Sequence, residues 1–208
     1  MAHARIHRSL LTRLLLVPAL AALALTAAGC GQDRVTYTPA HGGEHSSEAS
    51  HAAEQGGGFS HADIMFAEMM IPHHEQAIEM AGLAQTRSTD ERVKMLASRI
   101  KFAQQPEIDK MKAWVDASGM GGMHGSGDHS AMGGMLSEQQ MAQLKAAKGV
   151  QFDRLFLTGM IAHHEGAIDM AAQARASENA EVADLANTIT STQTSEIVEM
   201  KAMLARMP

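Results

Sequence analysis

The sequence predicts an all-α chain, a four-helix bundle assembled from two repeated helix hairpins, and three observations carry that prediction. Aromatic residues make up only 3% of the 208 positions, while hydrophobic residues make up 45%. An Ala- and Met-rich chain of this kind suits packed helices rather than a sandwich or barrel, whose strands draw on Val, Ile, Thr and aromatics. The chain also repeats itself. FAEMMIPHHEQAIEMA at 66–81 returns as FLTGMIAHHEGAIDMA at 156–171, and QQPEIDKMKA at 104–113 returns as QTSEIVEMKA at 193–202. Finally, apolar residues recur by threes and fours. Val93, Leu96, Ala97, Ile100, Ile108, Met111, Trp114 and Val115 form one stripe, and Val182, Leu185, Ala186, Ile189, Ile197, Met200, Met203 and Leu204 form its counterpart.

The segments before the repeats read as address and tether. Arg5, Arg8 and Arg13 precede an apolar run from Leu14 to Ala28, the pattern of a signal peptide over residues 1–29. The run ends in Ala27-Ala28-Gly29-Cys30, which resembles a bacterial lipobox with Ala27 in the usual Leu place. Cys30 is the one cysteine in the chain, so it is the candidate lipidation site. An ordinary secretory signal and an uncleaved anchor are the alternatives, although the run falls short of the ~20 residues of a comfortable membrane span. Lipidation would place the protein in the cell envelope, held on the extracytoplasmic side of a bacterial membrane. Residues 30–59 read as a linker rich in His, Gly and Ser, including His41, His45 and His51. Positions 31–60 hold no Leu, Ile or Met, so they cannot bury enough apolar area to offset their ordering entropy.

Residues 60–208 are expected to form the duplicated helical domain. Ser88-x-x-Glu91 resembles a capping box opening the second helix, and Ser137-x-x-Gln140 opens a short helix before the second repeat. Gly149 is expected to separate that short helix from the long motif helix. Pro72 should kink the first motif helix or mark a local start, since proline lacks the N–H that a helix interior needs.

Polar residues interrupt the stripes at matching places. Gln104 and Glu107 lie within one stripe, Gln193 and Glu196 within the other, and a lone carboxylate in a helical core is costly unless paired. At 100° per residue, Met70, His73, His74 and Met80 share a face of the first motif helix, with Glu75 turned away. Met160, His163, His164 and Met170 do the same in the second, with Glu165 turned away. The His pairs are therefore expected to face Glu107, Met111, Glu196 and Met200 of the partner helices. Imidazole with thioether is a ligand set for copper, and for Cu(I) in particular. A hydrogen-bonded polar core without metal is the competing reading, and Met in such positions is often simply adaptable filler.

With both Met-x-x-His-His-Glu motifs and both Gln-x-x-Glu-Ile-x-x-Met motifs in order, residues 60–207 resemble the bacterial envelope family known as domain of unknown function 305. The resemblance implies a ferritin-like helical bundle. It also implies kinship with secreted copper-binding and copper-tolerance proteins, since some members look like these. Pro106 departs from the pattern, as does the insertion that follows the first repeat.

That insertion, the loop at 118–136, is rich in Gly and carries Met120, Met123, His124, His129, Met132 and Met135. It reads as a mobile loop whose Met residues have no apolar stripe to explain them, which makes them candidate copper ligands. The functional expectation is an extracytoplasmic, lipid-anchored protein that sequesters copper, as Cu(I), Cu(II) or both. Two alternatives stand beside it. One is a ferritin-like di-iron or iron-binding protein, although the Glu-x-x-His spacing of such sites is missing from the bundle. The other is a non-catalytic helical interaction module. A cleaved leader would take three Arg and no acid with it, lowering the formal net charge from −6 to −9. That balance speaks against nucleic acid as a partner. A single cysteine excludes an internal disulfide framework, and no nucleophile triad, phosphate loop or CxxC points to an enzyme.

Overall fold

The computed structural model describes residues 58–119 and 132–208. The signal peptide, Cys30, the tether and the loop residues Met120, Met123, His124 and His129 lie outside them.

Four of the five described helices begin where a side chain satisfies one of the first free N–H groups; the fourth in chain order has no such cap. Ser60 caps α1 (His61–Arg87) through a reciprocal box with Asp63. Asp90 caps α2 (Glu91–Ser118) by accepting from Arg92 N. Ser88 instead closes α1, so the capping box expected there is replaced by an aspartate cap two residues on. Ser137 and Gln140 do form the expected box at the start of α3 (Glu138–Ala146). α4 (Gly149–Ala174) starts on Gly149 with φ at +57°, a conformation open to glycine at little cost, and this separates it from α3. Asn179 caps α5 (Ala180–Leu204). α1 runs unbroken through Pro72, so the proline marks no local start, and α2 likewise runs through Pro106.

The described residues are all-α: five helices and no strand. α1 packs along α2, and α4 along α5, giving one hairpin per sequence repeat. The hairpins meet chiefly through α1 and α4. Their antiparallel register is fixed by three pairings: Asp63 with Ser177, His73 with His163, and Met80 with Gly159. α3 touches both seam helices, and its buried Met141 and Leu144 join the apolar cluster that holds Met80. No helix among the described residues is long and apolar enough to cross a membrane.

The core is divided. One apolar cluster joins Ala77, Met80, Val93, Leu96, Phe152, Phe156, Met160 and Met200. The other joins Phe66, Met70, Met111, Trp114, Ala167, Ala171, Val182 and Ile189. Burying each large side chain contributes roughly 1.5–3 kcal/mol, so both clusters stabilise the fold substantially. On every long helix a pair of polar residues lies between the two clusters: His73 and His74, Gln104 and Glu107, His163 and His164, Gln193 and Glu196.

Candidate metal centre

The polar layer is built twice, once per repeat. His74 Nε2 donates to Glu107 Oε2 at 2.8 Å, and His164 Nε2 donates to Glu196 Oε2 at the same 2.8 Å. Glu75 and Glu165, next in sequence to the His pairs, are exposed as expected and pair with Lys112 and Lys201. Such surface pairs are worth about 0–1 kcal/mol, so they orient the helices more than they hold them.

The four imidazoles are fully buried. The rings of His73 and His163 lie with centroids 3.8 Å apart, tilted by 45°. Residues 132–136 reach the same place from outside. His73 Nε2 donates to the Gly133 carbonyl at 3.1 Å. Gln76 clasps Leu136 through two hydrogen bonds, Nε2 to the carbonyl at 2.9 Å and Oε1 from the amide at 2.8 Å. This end of the Met-rich loop is thus docked across the α1–α4 seam, which corrects the expectation of a mobile loop for these residues.

Two glycines make the docking possible. A Cβ on Gly166 would stand 1.8 Å from the Gly133 carbonyl oxygen, and one on Gly134 would stand 2.2 Å from the Ala162 carbonyl oxygen. Sequence reasoning missed this contact, although a signal existed. Gly166 replaces Gln76 between otherwise matching motifs, and a glycine inside a helix often marks close backbone approach.

The hydrogen bonds fix the tautomers. A carboxylate and a carbonyl can only accept, so Nε2 carries a proton in His73, His74 and His164, and in the neutral ring the Nδ1 lone pair is left over. Those three Nδ1 atoms find no partner, nor does either ring nitrogen of His163. Burial, helped by the neighbouring His74 and His164, lowers the His73 pKa from 6.5 to about 4, although the hydrogen bond to Gly133 works against it. Burial, followed by the charges of the other three imidazoles, pushes His163 well below its ordinary value. These two rings are therefore neutral, the state in which imidazole binds metal.

Methionines flank the layer on both sides. Met70 and Met111 sit in one apolar cluster, Met160 and Met200 in the other, all four fully buried and one helical turn from a layer residue. Met80 and Met170 stand two turns away along their helices, Met80 buried beside Gly159 and Met170 partly exposed. Of the loop candidates, Met132 and Met135 are half-buried. Among the described residues, no three His, Cys, Asp or Glu side chains converge on one metal position. Among the described residues there is accordingly no carboxylate-rich cluster of the di-iron kind. The leftover donors are imidazole nitrogen and thioether sulfur, which fit a soft monovalent ion.

Fold and site together define a class: a small helical protein whose core is cut by one layer of carboxylate-bound imidazoles between methionines. The chain belongs to the family Domain of unknown function (DUF305), whose pattern matches residues 63–204. It is similar to a DUF305 protein of Streptomyces coelicolor predicted to be secreted, at 30% identity and a TM-score of 0.65, over 69% of this chain and 92% of that one. A DUF305 fragment from Deinococcus radiodurans matches at 34% identity and a TM-score of 0.65, over 71% and 97%. CopM in its Cu(I)-bound form matches at 32% identity and a TM-score of 0.58, over 68% and 94%. CopM has also been solved in Cu(II)-bound and Ag-bound forms. The chain spans about a third (36%) of a curated relative, Uncharacterized protein L153 of Acanthamoeba polyphaga mimivirus, at 41% identity over 54 residues.

Proposed function

We propose that this protein binds copper in its buried His layer and serves as an extracytoplasmic, lipid-anchored copper-sequestering protein. One observation carries the reading: three imidazoles have Nε2–H committed to an acceptor, while their Nδ1 lone pairs are left buried without a partner. A metal-free polar core would leave those lone pairs desolvated and unpaid for, which is costly. A metal-ligating His ordinarily donates its second nitrogen to a carboxylate or carbonyl, the arrangement found at His73, His74 and His164. His163 would join them, with Met70, Met111, Met160 and Met200 as the thioether donors within reach of the layer. Similarity to CopM, solved with Cu(I), Cu(II) and silver, supports copper as the metal. The two hairpins would then act as a four-helix bundle of ferritin-like form that has exchanged carboxylates for softer donors.

The envelope location rests on the signal-like residues 1–29 and on Cys30, with support from the relative predicted to be secreted. The deciding experiment is metal analysis of purified residues 31–208 after exposure to Cu(I), Cu(II), Fe(II) and Zn(II). Stoichiometric copper in preference to iron is expected, and iron in preference to copper would overturn the reading. For the anchor, Cys30→Ala should abolish lipid labelling; a mutant that still takes the label would remove Cys30 from the argument.

A further inference from the structure

The α1–α4 seam has two ends related by the sequence repeat, and they are finished differently. At one end Met80 is fully buried, with its ε-methyl 3.4 Å from where a Gly159 Cβ would lie. The Leu136 methyls, 3.2 and 3.3 Å from the same point, and α3 cover that end. The repeat carries Met80 onto Met170 and Gly159 onto Met69. At the other end a methionine therefore takes the place of the glycine, and the corresponding side chains are both thioethers.

No described helix covers this second end. Instead Met69 and Met170 line an open cleft together with Met65, which lies one turn from Met69 on the same face of α1. Met69 is 38% exposed, and Met65 and Met170 are half-buried. The nearest buried acid is already committed. Asp63 accepts from Ser60 N at 2.8 Å and Ser60 Oγ at 2.7 Å through Oδ2, and from Ser177 Oγ at 2.6 Å through Oδ1. Those bonds pin the α4–α5 turn to the start of α1 and set the width of the cleft. They also withdraw the buried carboxylate from ligation. Ser177 and Asn179 are likewise engaged, with Asp63, Gly58 and Glu181. Beside the three sulfurs the lining therefore offers the exposed Gln173 amide and the Glu178 carboxylate.

We propose that Met65, Met69 and Met170 form a second soft-metal site, a solvent-accessible three-thioether site for Cu(I) or Ag(I). Thioethers select soft monovalent ions over Zn(II) or Fe(II). Three of them on two pinned helices lose little freedom on binding. The site does not depend on metal binding in the His layer. Its place is still suggestive: Met69 is one turn from His73 and Met170 two turns from His163, about 6 and 10 Å along the helix axes.

The test uses the full chain in detergent, titrated with silver nitrate in chloride-free buffer. Silver bound per chain is compared among the parent, the triple variant Met65→Leu/Met69→Leu/Met170→Leu, the control Met80→Leu, and His73→Gln/His163→Gln. The triple variant should bind one Ag(I) fewer than the parent, with unchanged helicity. Met80→Leu should match the parent. The His variant should keep the ion lost from the triple variant, so loss in the His variant alone would weigh only on the buried layer. In the parent, Ag(I) should also shift the ε-methyl NMR signals of Met65, Met69 and Met170 together. A triple variant that binds as much silver as the parent would overturn the proposal. So would unmoved methyl signals, which also decide the matter if the variant fails to fold.

Discussion

His73 and His163, ninety residues apart in sequence, lie with ring centroids 3.8 Å apart inside a core that excludes water from both. Two imidazolium ions could not share that space, and the fold keeps the pair neutral by burying it. The pair thus couples protonation to stability.

The first prediction follows from the sign of that coupling. His73 titrates near 6.5 when unfolded and near 4 when folded, so between those values the unfolded chain binds more protons. Stability is fully present above about pH 6.5 and is lost as pH falls towards about 4. For His73 alone the loss is on the order of 3 kcal/mol. His163 adds in the same direction. Urea denaturation of the metal-free protein at pH 4.5 and pH 7 should show the drop, and His73→Gln should flatten it. An equal slope in parent and variant would show that another group governs the acid response.

A second prediction concerns Glu107, which receives the Nε2 proton of His74. Glu107→Gln keeps an acceptor but removes the charge that makes the imidazole a stronger donor to metal. Copper affinity should fall about 10- to 100-fold, with metal-free stability nearly unchanged. Competition titration against a copper chelator reads this directly. Unaltered affinity would remove His74 from the ligand set.

Third, Gly166→Ala should act at a distance from any ligand. Its methyl would collide with the Gly133 carbonyl, push residues 132–136 off the seam and break the hydrogen bond to His73. Overpacking of this kind costs about 1–3 kcal/mol. Amide exchange at Leu136, now protected by Gln76, should quicken sharply. Gly82→Ala is the control: nothing lies within 4 Å of that site, and an exposed helical glycine replaced by alanine should gain about 0.5–1 kcal/mol.

The fourth prediction separates the two parts of the Met-rich loop. Replacing residues 120–131 with a Gly/Ser linker removes Met120, Met123, His124 and His129 but keeps Gly133 and Leu136 docked. Cu(I) capacity should fall while helicity and the unfolding midpoint hold. Extending the deletion through 135 should lower stability as well, because it strips the carbonyl from His73. Unchanged capacity after the shorter deletion would remove those four residues as ligands.

Periodicity made the helices and the facing His and Glu residues legible, because their side chains repeat every three or four positions. The Lys partners of Glu75 and Glu165 were not legible, since surface pairs follow no such rule. Nor was the docked segment at 132–136. Its contacts run through backbone carbonyls and a glycine's missing side chain, and neither leaves a periodic trace. Met170 illustrates a subtler limit. Helical spacing places it on the same face as His163, but the exposure of its side chain depends on α3 packing at the Met80 end.

The divided core has a consequence for how such a chain could have arisen. Each apolar cluster draws on all four long helices, so one hairpin owns half of two cores and the whole of neither. An ancestral protein of single-repeat length would have needed a twin to bury those surfaces, and gene fusion would later have made the partnership permanent. Residues 58–119 expressed alone should therefore associate in pairs or fail to fold, as sedimentation would show; a stable folded monomer would argue that duplication came to a hairpin already self-sufficient.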